Sequence, residues 1–283
     1  MMLAYVSETA RAERSLSSVT LVYAGTPLGG AIASLIRLNL AAGQWRVIFI
    51  VGGVVPLLAA LAMRIYLRES IGFSTADRSA PGRGFASIFA DGRALPTLLL
   101  WVSFFFALLL LYLLLNWLPT LMVNNGLTRP QAALAQIGFN IGGAIASVVI
   151  GRLLEGRWRN LSVVAVFIAV PVLLVALAEA PPLVSVSVLI VFALGCSVIA
   201  AQAFLYAMAP NAYPVVIRGV GVGMAVAMGR IGSIAGPKLG GMLKQAGHSP
   251  SQLFIDLLPL VILGSICALS LAWLTRRANT TIA

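Results

Sequence analysis

The chain has 283 residues, 60% of them hydrophobic and 10% charged, with a formal net charge of +11 and a mean hydropathy of +1.00. These values exclude a soluble globular fold, in which about one-quarter of residues are charged. The positive excess does not signal nucleic acid, because it is spread over short connections between apolar runs, where membrane orientation places it.

In chain order the apolar stretches are Ser18–Leu40, Arg46–Leu67, Pro96–Met122, Gln131–Leu154, Leu161–Ala178, Leu183–Ala209, Gly219–Leu243 and Leu253–Thr275. A hydrocarbon core of about 30 Å needs about 20 helical residues. Only helices and closed barrels satisfy their backbones in lipid, and these runs are too long for barrel strands. The expected fold is therefore an all-α polytopic membrane protein with eight transmembrane helices.

No cleavable leader is expected, since Glu8, Arg11, Glu13 and Arg14 precede the first run, which is itself of spanning length. Basic residues cluster in alternate connections. One side holds Arg11, Arg14, Arg68, Arg78, Arg83, Arg93, Arg152, Arg157, Arg159, Arg218, Arg276 and Arg277, and the other Arg46, Arg129 and Lys244. Positive charge stays inside, so both termini are expected in the cytoplasm.

Most connections are short. The exception, residues 68–95, is polar and carries four arginines. It reads as a cytoplasmic linker between residues 1–67, with two spans, and residues 96–283, with six. Many transporters consist of two six-helix lobes. On that template the second lobe is complete and the first lacks four helices, with apolar Met1–Val6 as the end of a preceding span. Glycines four apart, Gly25/Gly29, Gly138/Gly142, Gly219/Gly223 and Gly232/Gly236/Gly240, are expected to pack helices closely. Pro237 suggests a bend in the seventh span. Cys196 and Cys267 lie in apolar runs and read as packing residues. His248 is the only histidine and sits in an outer loop, so neither a histidine-based metal site nor a Ser-His-Asp triad is expected. Nothing indicates a cofactor, and a membrane-embedded enzyme has little support.

Several motifs resemble the major facilitator superfamily: YAGTPLGGA (Tyr23–Ala31), WRVIFIVGGVVPLL (Trp45–Leu58) and RES (Arg68–Ser70). NWLP (Asn116–Pro119) and IRGVGVGMAVAMGRIGSIAGPKLGG (Ile217–Gly241) resemble its aromatic acid:proton symporter branch. The resemblance implies a secondary transporter in the cell membrane, moving a small aromatic acid with protons by alternating access. A latching loop motif of the family is echoed in GRLLEGRWR, with Gly151, Glu155 and Arg159 at matching positions and Gly156 departing from an arginine. A gating pattern before the first span is matched at Glu8, while its proline is missing and Arg14 falls one residue early.

Arg230 lies mid-span, where a guanidinium costs about 2.5–3.5 kcal/mol on insertion scales. It needs either a cavity with an anionic guest, such as an aromatic carboxylate gripped bidentately, or a structural ion pair. The family pattern of two arginines is matched by Arg218 and Arg230. Other candidates are Tyr23, Asn116 with Trp117, Gln136 with Asn140, and Gln202 with Tyr206, the last two pairs each four residues apart on one helix face. Each such pair either lines a cavity or bonds neighbouring helices. No span has a central acid, and in the family the acidic pair belongs to the first helix. The competing expectation is a transport-incompetent fragment that inserts and packs without turnover.

Overall fold

The structure, a computed structural model, describes residues 15–39, 46–66, 85–181 and 183–280. Glu8, Met1–Val6 and most of the linker lie outside these residues. The described residues form helices and turns without strands. They are α1 (Ser15–Tyr23), α2 (Gly25–Asn39), α3 (Arg46–Tyr66), α4 (Ala94–Asn124), α5 (Arg129–Glu155), α6 (Arg159–Ala178), α7 (Val184–Met208), α8 (Val215–Gln245), α9 (Pro250–Asp256) and α10 (Leu258–Thr280).

Among the described residues six spans are long and apolar enough to cross a membrane: α4, α5, α6, α7 with its 3-10 extension, α8, and α9 joined to α10. The two N-terminal runs appear as shorter apolar stretches, Thr20–Ile36 and Phe49–Ala62. The chain is thus an all-α, multi-pass membrane protein. Two of the expected continuous spans are interrupted, for the same reason. Pro27 has no N–H, which leaves the Tyr23 carbonyl without its usual donor, and the helix breaks at Ala24. Pro259 does the same to Ile255, and the break falls at Leu257. By contrast α8 runs unbroken through Pro237.

The hairpin connections follow from turn chemistry. At the ends of α4 and α8 the chain turns through Gly126 and Gly247, at φ 97° and 87°. There Leu127 N–H donates to the Met122 carbonyl, and His248 N–H to that of Leu243. This double closure satisfies helix-end carbonyls and favours glycine. Each turn leads into a capped, proline-primed helix. Gln131 Oε1 accepts from Thr128 N–H at 2.9 Å, and Gln252 Oε1 from Ser249 N–H at 2.9 Å. The opposite end of the bundle carries Arg93, Arg152, Arg157, Arg159 and Arg218. We refer to these as the capped end and the arginine end.

Two hydrophobic clusters stack between them. One, toward the capped end, centres on Leu113, Leu118, Met122, Phe139, Leu174 and Phe254. The other, toward the arginine end, centres on Leu100, Phe104, Phe167, Phe204 and Leu271. Tyr23 and Tyr112 pack against both, which fixes their depth at the middle of the bundle. The closest helix pairs are α4 with α8 and α5 with α7, while α1 lies against α5 and α7 and α2 against α5. Glycines make these approaches possible: a Cβ at Gly232 or Gly236 would collide with the carbonyls of Phe105 or Leu109, and one at Gly195 with that of Phe139. Other glycines of the same spacing, Gly25, Gly29, Gly219 and Gly223, face open space. Ile168, Val172, Ile266 and Trp273 are exposed on the outer faces of α6 and α10, where lipid replaces protein as the contact.

Candidate functional site

Arg230 is the middle residue of the 31-residue α8. A helix of that length spans about 46 Å, longer than a hydrocarbon core of about 30 Å, and Arg230 lies far from either of its ends. The side chain is exposed, and its Nη1 donates to the Tyr112 hydroxyl at 3.0 Å. Among the described residues no carboxylate lies within ion-pair distance of it. Tyr112 reaches the guanidinium because α8 lies against α4 at Gly229, Gly232 and Gly236, and Gly229 itself packs on Leu108 and Phe104.

Two more phenols converge there. The rings of Tyr23 and Tyr206 lie 5.2 Å apart with a 36° tilt, and Tyr206 meets Phe104 edge-on at 5.1 Å. Both phenols lie within electrostatic reach of Arg230, and Tyr112 within reach of both. The result is one cation held by a phenol and flanked by aromatic rings from α1, α4 and α7. Charge-assisted hydrogen bonds of a guanidinium and phenolic donors suit a carboxylate, and the rings suit a planar aromatic body.

The remaining candidates distribute around this centre. Gln202 lies one turn before Tyr206 on α7, is 0% exposed, and neither of its amide atoms has a hydrogen-bond partner among the described residues. Asn140 is buried and donates from Nδ2 to the Gln136 carbonyl at 2.9 Å. A Cβ at Gly30 would lie 2.7 Å from Asn140 Oδ1, so this amide faces α2 directly. Gln136 is buried too, with its amide unpartnered among the described residues. Gly30 lies in α2, seven residues beyond Tyr23 and on the far side of the break at Ala24. Gln136 and Asn140 therefore belong to the α2–α5 seam rather than to the Arg230 cluster.

Asn116 is exposed and donates to the Tyr112 carbonyl of its own helix at 2.8 Å. Trp117 is engaged by α8. Its Nε1 donates to the Pro237 carbonyl at 2.9 Å, Lys244 sits over its ring at 5.3 Å, and Gly240 lies beneath it.

At the arginine end the loop residues meet a single junction. Arg159 donates to Met208 Sδ at 3.0 Å, and Arg218 Nε to the Pro210 carbonyl at 3.0 Å. The starts of α6 and α8 are thereby tied to the end of α7. Gly151 is buried in α5, while Glu155 is exposed near its end.

Sequence reasoning did not single out Tyr112 or Phe104. Both sit in the leucine-rich α4, which has no polar face to mark them. The available signal was the four-residue spacing of Tyr112 and Asn116.

A model of the Major Facilitator Superfamily matches residues 1–237. Among similar proteins, the 3-(3-hydroxy-phenyl)propionate transporter of Escherichia coli K12 is 35% identical, over 87% of this chain and 60% of that protein. The 4-hydroxybenzoate transporter PcaK of Pseudomonas putida is 29% identical over 85% of this chain and 61% of its own length. The gallate transporter of Pseudomonas putida is 28% identical, covering 83% and 59%. The chain spans about three-fifths of the length of these relatives.

Proposed function

The chain belongs to the major facilitator superfamily, and from that premise we propose that it serves as a secondary transporter of small aromatic carboxylic acids. One observation carries the reading: a guanidinium at the centre of a helix of spanning length, exposed, held by Tyr112 and ringed by aromatic side chains, with no carboxylate counter-ion among the described residues. An unpaired cation at that depth is costly, and an anionic substrate removes the cost while it is bound. The names of the similar proteins, all transporters of aromatic acids, support the same substrate class.

In this proposal the carboxylate is gripped by Arg230 and Tyr112, and the ring lies against Tyr23, Tyr206 and Phe104. Asn116 lines the approach from the capped end, Gln136 and Asn140 hold the α2–α5 seam beside it, and Trp117 fixes α4 to α8. Residues 1–67 belong to one lobe and 96–283 to the other, joined by the 68–95 linker, and alternating access rocks the lobes about the site. Arg159 and Arg218, with Gly151 and Glu155, form the latch at the arginine end, while Glu8, outside the described residues, matches the family's gating position. That end faces the cytoplasm of a cell whose inner or plasma membrane holds the protein, because positive charge remains inside. Protons move with the substrate. Among the described residues Asp91, Glu155, Glu179 and Asp256 all lie at helix ends or in connections.

The test is binding of labelled 4-hydroxybenzoate and 3-(3-hydroxyphenyl)propionate to the purified protein in lipid nanodiscs, with uptake into proteoliposomes driven by an inward proton gradient. Binding and uptake that both disappear in Arg230→Gln support the proposal. Unchanged binding in that variant removes the anchor. Binding without uptake favours the second reading, in which this polypeptide packs without turnover.

A further inference from the structure

Gln202 is the most deeply buried amide near the site, and its two polar atoms are left over from every bond described above. Its environment explains why no neighbour serves it. The α5–α7 seam is built on close contacts: Gly195 against the Phe139 backbone, Gly143 against Ile199, and Gly142 against Phe192 and Cys196. Gln202 continues the same α7 face one turn further toward the arginine end. The buried hydroxyl on α5 in this stretch, that of Ser147, already donates to the Ala144 carbonyl at 2.8 Å. Next along the face comes Tyr206, whose ring meets Tyr23 and Phe104 and lies within the field of Arg230. An aromatic wall therefore has a cation on one side and an unserved amide one turn away along α7.

An unpaired buried amide is unfavourable, and leucine or methionine would fill the same volume without that penalty. The amide offers one acceptor and two donors, which complements a phenolic hydroxyl, itself both donor and acceptor. A carboxylate could use only the donors. A site that hydrogen-bonds a substrate hydroxyl also rejects the analogue lacking it, because its own polar group then stays unpaired. Resting on the carboxylate anchor proposed above, we infer that Gln202 is a specificity-determining residue, selecting ring-hydroxylated aromatic acids over their unsubstituted counterparts by bonding the hydroxyl. The carboxylate sits at Arg230 and Tyr112, the ring on Tyr206 and Tyr23, and the hydroxyl reaches the amide.

The experiment measures equilibrium binding of two matched pairs to the full chain in nanodiscs: 4-hydroxybenzoate against benzoate, and 3-(3-hydroxyphenyl)propionate against 3-phenylpropionate. The wild type favours the hydroxylated member of a pair. In Gln202→Met the ratio of affinities falls by about tenfold, the value of one hydrogen bond. Gln202→Asn, which keeps the amide on a shorter stem, gives an intermediate ratio. A wild-type ratio near one, a ratio unchanged in Gln202→Met, or equal loss of both members with thermal stability retained each overturns the inference. Arg230→Gln separates the two levels, because it weakens all four acids if the anchor is right, whatever the ratio does. If none of the four acids binds the wild type, the anchor and the inference fall together.

Discussion

Replacing Arg230 by methionine separates a ligand-binding cation from a structural one, because the two roles predict opposite effects on stability. The guanidinium sits at the centre of α8 with one described hydrogen-bond partner, the Tyr112 hydroxyl at 3.0 Å, and no described carboxylate. A charged group at that depth costs about 2.5–3.5 kcal/mol on insertion scales, against which its bond to a neutral phenol returns about 1.5–3 kcal/mol. Methionine of similar length removes both terms, so the ligand-free protein keeps its stability or gains up to about 2 kcal/mol. Binding goes the other way. Losing a charge-assisted contact to a carboxylate costs about 1.5–3 kcal/mol, an affinity reduced by about 10- to 150-fold. Thermal unfolding in detergent and ligand titration on the same preparation read both quantities. Arg230→Lys sharpens the test, since it keeps the charge while losing the planar fork, and falls between wild type and Arg230→Met in affinity. A marked loss of thermal stability in Arg230→Met with affinity intact would refute the reasoning and make Arg230 a structural residue.

Gly236→Leu drives a side chain into the Leu109 carbonyl and the Leu113 amide of α4. Overpacking of this kind costs about 1–3 kcal/mol or more, and the expected result is a lower unfolding temperature together with weakened binding, because Tyr112 moves away from Arg230. Trp117→Phe keeps the ring over Gly240 but loses the bond to the Pro237 carbonyl. It should destabilise by about 0.5–1.5 kcal/mol, read by chemical denaturation, with little effect on ligand affinity. Pro27→Ala restores the donor that the Tyr23 carbonyl lacks. The variant should join α1 to α2, raise helical content by circular dichroism, and reduce substrate affinity by turning Tyr23 away from Tyr206. Arg218→Ala releases the start of α8 from Pro210 and is expected to slow uptake while leaving equilibrium affinity within about twofold, as removal of a single exposed contact implies.

Much of this architecture is local and could be read in one dimension. Lipid offers no hydrogen bonds, so each crossing must satisfy its own backbone, and runs such as 96–122 and 131–154 can only be helices. Turn chemistry is equally local: Gly126 with Thr128 and Pro130, and Gly247 with Ser249 and Pro250, announce their hairpins. The breaks at Ala24 and Leu257 were present in the sequence as Pro27 and Pro259, but an apolar run hides a missing donor, and both were read as continuous spans. Arg230 stood out because its charge conflicts with its surroundings whatever the fold.

Its surroundings did not stand out. Tyr112 lies 118 residues away in the chain, inside a run of leucines where one phenol has no periodic signal, and the stacking of Tyr23 on Tyr206 joins the first described helix to the seventh. Nor could spacing sort the glycines, since Gly219 and Gly223 face open space while Gly232 and Gly236 touch a backbone. Hydrophobicity along the chain determined where the apolar runs lie and that they are helical, because transfer from water to lipid acts on each segment by itself. Which polar groups meet at the midplane was decided only by packing, since dispersion and hydrogen bonds between helices act over a few ångströms and depend on which backbones can come close.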